Sequence, residues 1–236
     1  MQQIKSYFFV ITLAILSIPC YALVMLSSLF LKHNTFLNAT IFWAHVFTKL
    51  LYVFCGLKVK VEGIENIPAQ PSIICSRHES ALETVFLYAY FKVPAVILKQ
   101  EVLRLPFFGW GLARFGMISI DRSKPLESVK KIRKEVARVI KERRHLLIFP
   151  EGTRLKHDEF VPYKSGGLST VLSADLTDVK IVPVALNTGL FWERKTFLIK
   201  PGVATIKILP PINPIGDKKA LLAELKTKID NATKLL

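Results

Sequence analysis

Residues 71–86, PSIICSRHESALETVF, constrain most strongly what this chain can fold into. Ser72 to Cys75 form a short apolar run with the length and content of a buried strand. From Ala81 onward, Leu82, Phe86 and Leu87 or Tyr90 recur at helical spacing. His78 therefore stands at a strand-to-helix junction, where function is often carried on a rigid scaffold. Glu83 follows five residues later. In a regular helix that separation turns two side chains about 140° apart. The pair meets only if His78 lies just before the first turn and bends back over the helix start. A carboxylate on a histidine ring fixes its tautomer and stabilises the imidazolium, which is a general-base arrangement. Spacing alone leaves the other reading open, a surface histidine near an unrelated helical glutamate.

The rest of the chain repeats this alternation. Strand-like runs are expected over residues 58–62, 95–98, 117–120, 145–149, 180–186, 196–199 and 203–209. Helical patterns are expected over 81–91, 103–115, 125–144, 164–174 and from Asp217 onward. The run at 180–186 is continuously apolar, which suits a strand buried on both faces. Such alternation predicts an α/β fold, a largely parallel or mixed sheet flanked by helices. The 125–144 helix has apolar Leu126, Val129, Ile132, Val136, Val139 and Ile140, and Lys130, Lys131, Arg133, Lys134, Arg138, Lys141 and Arg143 elsewhere. That basic face suits solvent; lipid headgroups are the alternative.

The N-terminal quarter differs. Residues 8–31 carry no charge, and that run exceeds the roughly 20 residues a helix needs to cross a bilayer. It is too long for a typical signal h-region, and no small-residue cleavage site follows cleanly. A second apolar stretch, 35–57, is broken by His45 and Lys49, and pairs with the first as a hairpin or lies in the interface. The expected organisation is residues 1–57 as a membrane anchor of hydrophobic helices and 58–236 as the globular domain. Lys32, Lys49, Lys58 and Lys60 after the first run outnumber Lys5 before it, so with one span the globular part is cytoplasmic.

The 236 residues are 51% hydrophobic with a net charge of +15, and the mean hydropathy is +0.35. Basic and apolar together point to an anionic membrane surface. No zinc-finger spacing, RNP-type aromatic strand or basic tail argues for nucleic acid. Cys20, Cys55 and Cys75 are far apart and show no metal-ligand spacing. Cys75 lies three residues before His78, but a strand-like run is where an inert buried thiol sits.

Three further blocks follow the His-x-x-x-x-Glu pair in order: GMISIDR at 116–122, FPEGTR at 149–154 and VPVALN at 182–187. Over residues 58–211 the four together resemble the glycerolipid acyltransferase family, most nearly its bacterial 1-acylglycerol-3-phosphate acyltransferases. The commoner family pattern has Asp at position 83; a subset carries Glu. The resemblance implies an acyltransferase domain that moves an acyl chain from acyl-CoA or acyl carrier protein to the 2-hydroxyl of lysophosphatidic acid, making phosphatidic acid at the inner membrane with the site on the cytoplasmic side. The thioester is a co-substrate; no cofactor or metal is implied.

That chemistry assigns roles. His78 takes the hydroxyl proton and Glu83 orients it. Arg154 can grip a phosphate bidentately, and the Gly152-Thr153 backbone can approach closely. Arg122 and Lys99 follow strand ends, where ligands bind in open α/β sheets. The resemblance assigns the blocks containing Gly116 and Glu151 to acceptor binding, with Glu151 as an orienter of its loop. Residues 182–184 read as core, though the family links them to the acyl-donor side. Ser80 reads as a helix cap. Acylation of another lysolipid, such as a lyso-ornithine lipid or lysophosphatidylethanolamine, and an inactive lipid-binding module remain as alternatives.

Overall fold

The computed structural model describes residues 1–27, 33–104, 108–121, 123–174 and 179–236. Two helices open the chain, α1 (Gln2–Ser27) and α2 (His33–Cys55). Strands β1 (Leu57–Glu62) and β2 (Ile73–Ser76) follow, then α3 (Leu82–Tyr90) and β3 (Ala95–Lys99). Two short helices, α4 (Gln100–Leu103) and α5 (Phe108–Arg114), lead to β4 (Ile118–Ile120). The long α6 (Pro125–Lys141) precedes β5 (Leu146–Ile148), and α7 (Ser165–Val171) precedes β6 (Ile181–Leu186). Strand β7 (Gly202–Ile208) and α8 (Lys218–Lys234) complete the chain.

The seven strands form one mixed sheet in the order β1-β7-β6-β2-β5-β3-β4. Every pairing is parallel except β6 with β7. The central strands are β6, β2 and β5, and all their residues are buried, as continuous apolar runs covered on both faces require. One core cluster joins Ile74, Leu82, Phe86 and Val182 to α1 and α2; the other joins Ile73, Cys75 and Ile181 to α6, α7 and α8. Of the six apolar positions its periodicity picks out, helix α6 buries Ile132, Val136 and Val139, half-buries Val129 and Ile140, and leaves Leu126 exposed. Asp217 caps α8, its carboxylate accepting from the Ala220 N–H.

Two expectations are corrected here. The first is the membrane anchor: among the described residues no helix is long and apolar enough to cross a membrane. Part of the uncharged run, residues 28–31, lies outside the described residues. What α1 does with its first turns is bind the protein itself. Phe9 is fully buried, with its ring 5.6 Å from Phe47 and 6.2 Å from Trp192. The Gln2 amide donates to the carbonyls of Cys55 at 3.1 Å and Ile199 at 2.7 Å. The second correction is the strand expected at 196–199, which does not form. Its backbone groups pair with side chains instead: Ile199 N–H donates to Ser6 Oγ at 3.0 Å, and Trp192 Nε1 donates to the Thr196 carbonyl. Apolarity reported burial only in part: Phe9 and Ile199 are fully buried, while Phe8, Ile11, Ile15 and Phe197 stay more than half exposed.

Candidate active site

Parallel strands deliver their carboxyl ends to one edge of a sheet. Because β6, β2 and β5 are neighbours, the residues that follow them converge: Asn187 and Thr188 after β6, Arg77 and His78 after β2, Phe149 to Gly152 after β5. His78 Nδ1 lies 2.7 Å from Glu83 Oε1. The chain does bend back over the start of α3, as their meeting requires. The Glu83 carboxylate accounts for the bend, since Oε1 also accepts the N–H groups of Glu79 at 2.9 Å and Ser80 at 2.8 Å. Oε2 accepts the Thr188 hydroxyl at 2.7 Å and a longer bond, 3.1 Å, from Ser80 N–H. Both oxygens of the fully buried carboxyl are thus hydrogen-bonded. A carboxylate at Nδ1 makes that nitrogen the donor and leaves Nε2 with the lone pair.

The imidazole is fixed on its face as well. It stacks on Phe149, with ring centroids 3.9 Å apart and planes 20° from parallel, and its side chain keeps 16% exposure. A ring held at one edge and one face, with limited solvent access, is a pre-oriented base. Ser80 Oγ accepts the Leu82 N–H at 3.3 Å, but Ser80 is not the helix cap expected of it: Ala81 holds the N-cap position of α3, with no side-chain capping bond. Cys75 is fully buried in β2, and burial pushes its thiol well up, so it is not a nucleophile.

Beneath this pair runs a second buried network that sequence reasoning missed. Arg77, 1% exposed, donates from Nε to Glu79 Oε1 at 2.6 Å. Its Nη2 donates to the carbonyls of Lys156, His157 and Glu159, and Phe160 covers the guanidinium plane at 4.6 Å. Arg77 thereby fastens the 156–160 loop under the dyad. An arginine and a glutamate two residues apart, flanking His78, were the only signal in the sequence.

The expected acceptor residues divide. Glu151 is 2% exposed, and burial pushes its carboxyl up to about 8, so it is protonated at neutral pH inside the loop. Gly152 has φ +66°, and a Cβ there would come 3.0 Å from Lys164 Cδ. Thr153 is exposed and Arg154 half-buried, with the Arg154 carbonyl accepting from Arg194 Nη1 at 2.6 Å. These four lie between Phe149, which stacks on the His78 ring, and Leu155, whose N–H donates to the His78 carbonyl. Lys99 is exposed at the carboxyl end of β3, beyond β5. Gly116 is not brought to the dyad: it precedes β4, at the opposite edge of the sheet, and its carbonyl accepts from Arg138 Nη2. Arg122 lies outside the described residues. Among the described residues no group of histidines, cysteines and carboxylates has the arrangement of a metal site.

The profile of the family described as Acyltransferase matches residues 58–187. A 1-acyl-sn-glycerol-3-phosphate acyltransferase from Pseudomonas aeruginosa is 35% identical over 188 residues, covering 80% of this chain and 72% of that protein. The chain belongs to the acyltransferase family. Its matches extend to proteins of the same name from Limnanthes douglasii, 33% identical over 72% of this chain, and Saccharomyces cerevisiae, 32% identical over 79%. It spans 60% and 62% of those two proteins' lengths. The crystal structure of the 1-acyl-sn-glycerophosphate (LPA) acyltransferase PlsC from Thermotoga maritima shares the fold, with a TM-score of 0.78 at 20% identity over 99% of this chain and 97% of that one. The His78–Glu83 pair lies within the matched residues, at the edge of the sheet formed by the carboxyl ends of β2, β5 and β6.

Proposed function

We propose that this acyltransferase transfers an acyl chain from a thioester donor to the 2-hydroxyl of 1-acyl-glycerol-3-phosphate, giving phosphatidic acid. The observation that carries the reading is the orientation of His78, whose Nδ1 is committed to Glu83 and whose Nε2 is therefore a base. The names of the relatives supply the acceptor class. Nε2 takes the hydroxyl proton as the oxygen attacks the thioester carbonyl. The tetrahedral intermediate collapses with loss of the thiolate, which receives that proton from the imidazolium. Glu83 offsets the positive charge in both steps. No acyl-enzyme is required. Arg154, with Arg122 and Lys99 as further cations, binds the phosphate.

The donor is acyl-CoA or acyl carrier protein, both cytoplasmic thioesters. The acceptor is a lipid, and the reading includes a bilayer surface as partner, on the cytoplasmic face of the inner membrane. Ile4, Phe8, Ile11 and Ile15 on α1 are each more than half exposed, as are Phe42 and Val53 on α2. The first four recur at helical spacing and form one apolar stripe, and the net charge of +15 favours anionic headgroups.

The test is a panel of acceptors. Purified protein is given an acyl-CoA with lysophosphatidic acid, lysophosphatidylethanolamine or a lyso-ornithine lipid, and thiol release is followed with product analysis. Phosphatidic acid as the main product is the expected result. Preference for a lysolipid without a phosphate monoester would assign a different acceptor, and no thiol release with any of them would leave a binding module.

A further inference from the structure

The turn after β6 grips two buried carboxylates at once. Thr188 Oγ1 donates to Glu83 Oε2 at 2.7 Å, and both residues are fully buried. The next N–H, of Gly189, donates to Glu79 Oε2 at 2.9 Å. The approach is so close that a Cβ on Gly189 would lie 2.9 Å from both Cβ and Oε2 of Glu79. The turn is itself fixed. Asn187 Oδ1 accepts the Thr205 N–H at 2.7 Å, and Asn187 Nδ2 donates to the Leu236 carbonyl at 3.1 Å. The Thr188 carbonyl accepts the N–H groups of Phe191 and Trp192.

Glu83 Oε1 has three short bonds, to His78 and the backbone of Glu79 and Ser80. Oε2 has one short bond, and Thr188 makes it. The terminal torsion of a glutamate is broad and poorly fixed by its own sterics. Rotation of the carboxylate about that torsion carries Oε1 off the line to His78 Nδ1. We infer that Thr188 is a positioning residue for the base: its hydroxyl sets the rotation of the Glu83 carboxylate, and through it the plane and tautomer of His78. The inference rests on the proposed reaction for its catalytic consequence, and on the geometry alone for its structural one. Thr188 is fully buried and its hydroxyl bonds to Glu83, so it acts through that carboxylate.

The test has two readouts. Thr188→Val is isosteric and removes only the donor; Thr188→Ala is the second variant, should the methyl disturb the turn; Thr188→Ser keeps the hydroxyl. The first readout is the proton NMR signal of the His78 Nδ1–H, strongly deshielded by its bond to Glu83 and identified by its loss in His78→Gln. It is expected to move upfield or broaden away in the Val and Ala variants and to persist in Ser. The second is steady-state transfer with lysophosphatidic acid and an acyl-CoA. The expected pattern is a fall of about tenfold in kcat, on the scale of a hydrogen bond to a charged group, at unchanged KM for both substrates, with most of it recovered by Ser. A wild type without transfer, but with the resonance lost in Val, removes the functional reading and leaves the positioning role standing. A wild-type resonance in both Val and Ala, or none in wild type, overturns the inference whatever the turnover.

Discussion

The N–H of Leu155 donates to the carbonyl of His78 at 2.8 Å. Those residues lie on loops that follow different strands, β5 and β2, and the bond ties the Gly152–Arg154 turn to the backbone of His78. Phe149, from the same segment, stacks on the His78 ring at 3.9 Å. The loop proposed to hold the acceptor and the residue proposed to activate it are thus one mechanical unit, so changes on either side should be felt on the other.

His78→Ala should abolish transfer while leaving the fold intact: the stack on Phe149 is lost, but Glu83 keeps its bonds from Glu79, Ser80 and Thr188. Circular dichroism and turnover measured side by side would check this. Glu83→Asp is more informative. It restores the commoner family residue but shortens the side chain by one methylene, while its donors on Ser80, Glu79 and Thr188 stay where they are. Activity should drop by about tenfold or more, on the scale of one charge-assisted bond lost. Full activity in the aspartate variant would show that the donor set adapts.

How much of this was legible in the chain follows from sequence distance. The His78–Glu83 pair is local, and a strand run, a turn and a helical pattern sufficed to place it. Strands β2, β5 and β6 were visible as apolar runs because each is buried on both faces. Thr188 and Phe149 were not legible as partners of the pair, because the order β6-β2-β5 brings them there and no local pattern encodes strand order. Arg77 was not legible either, since a charged residue beside a histidine reads as surface, yet it is 1% exposed. The uncharged run at the N-terminus did not say which of its side chains turn inward: Phe9 is buried, while Phe8, Ile11 and Ile15 are more than half exposed. Phe9 packs on Phe47 and Trp192, within the protein.

Arg77→Met should be among the most destabilising single changes in the site. It strips the guanidinium from Glu79, a carboxylate with no exposure that keeps only the Gly189 N–H and His157 Nδ1 beside it, and frees three loop carbonyls. Removing one member of a buried pair costs about 3–5 kcal/mol. Chemical denaturation of wild type, Arg77→Met, Glu79→Gln and the double variant forms the cycle, and the double variant should be less destabilised than the two singles added together. Simple additivity would mean that the pair is not coupled.

His145 gives a pH signature on the other side of the sheet. Burial, helped by the charge of Lys92, pushes its imidazole down to about 4 from an ordinary value near 6.5. The unfolded chain takes a proton in that interval and the folded one does not. Its contribution is therefore present above about pH 6.5, is lost as pH falls towards 4, and is level below. After discounting for partial exposure the loss is on the order of 1–3 kcal/mol. Asn at position 145 retains a polar atom for Ser72 Oγ, which lies 2.7 Å from the ring nitrogen. Unfolding free energies of wild type and His145→Asn at pH 7 and pH 4.5 should converge at the lower pH. Parallel losses in both would remove His145 as the cause.

Arg154 tests the acceptor directly. Its backbone carbonyl is held by Arg194 at 2.6 Å, and the turn that carries it is bonded to His78 through Leu155, so its position is fixed relative to the base. If the guanidinium binds the acceptor phosphate, Arg154→Ala should raise the KM for lysophosphatidic acid and spare the KM for the acyl donor. A charge-assisted bond is worth roughly 1.5–3 kcal/mol, so kcat/KM should fall by about ten- to a hundredfold. Arg154→Lys should recover only part, since an ammonium keeps the charge but loses the fork. Arg194→Ala is the companion: it leaves the guanidinium of Arg154 in place but releases the backbone beneath it, so a smaller rise in the same KM is expected. The selectivity should shift as well, because a lysolipid without a phosphate monoester has no group for the guanidinium to hold and should lose little on mutation. Steady-state kinetics with each substrate varied in turn would decide, and a defect confined to the acyl-donor KM would mean that the turn after β5 serves the thioester rather than the phosphate.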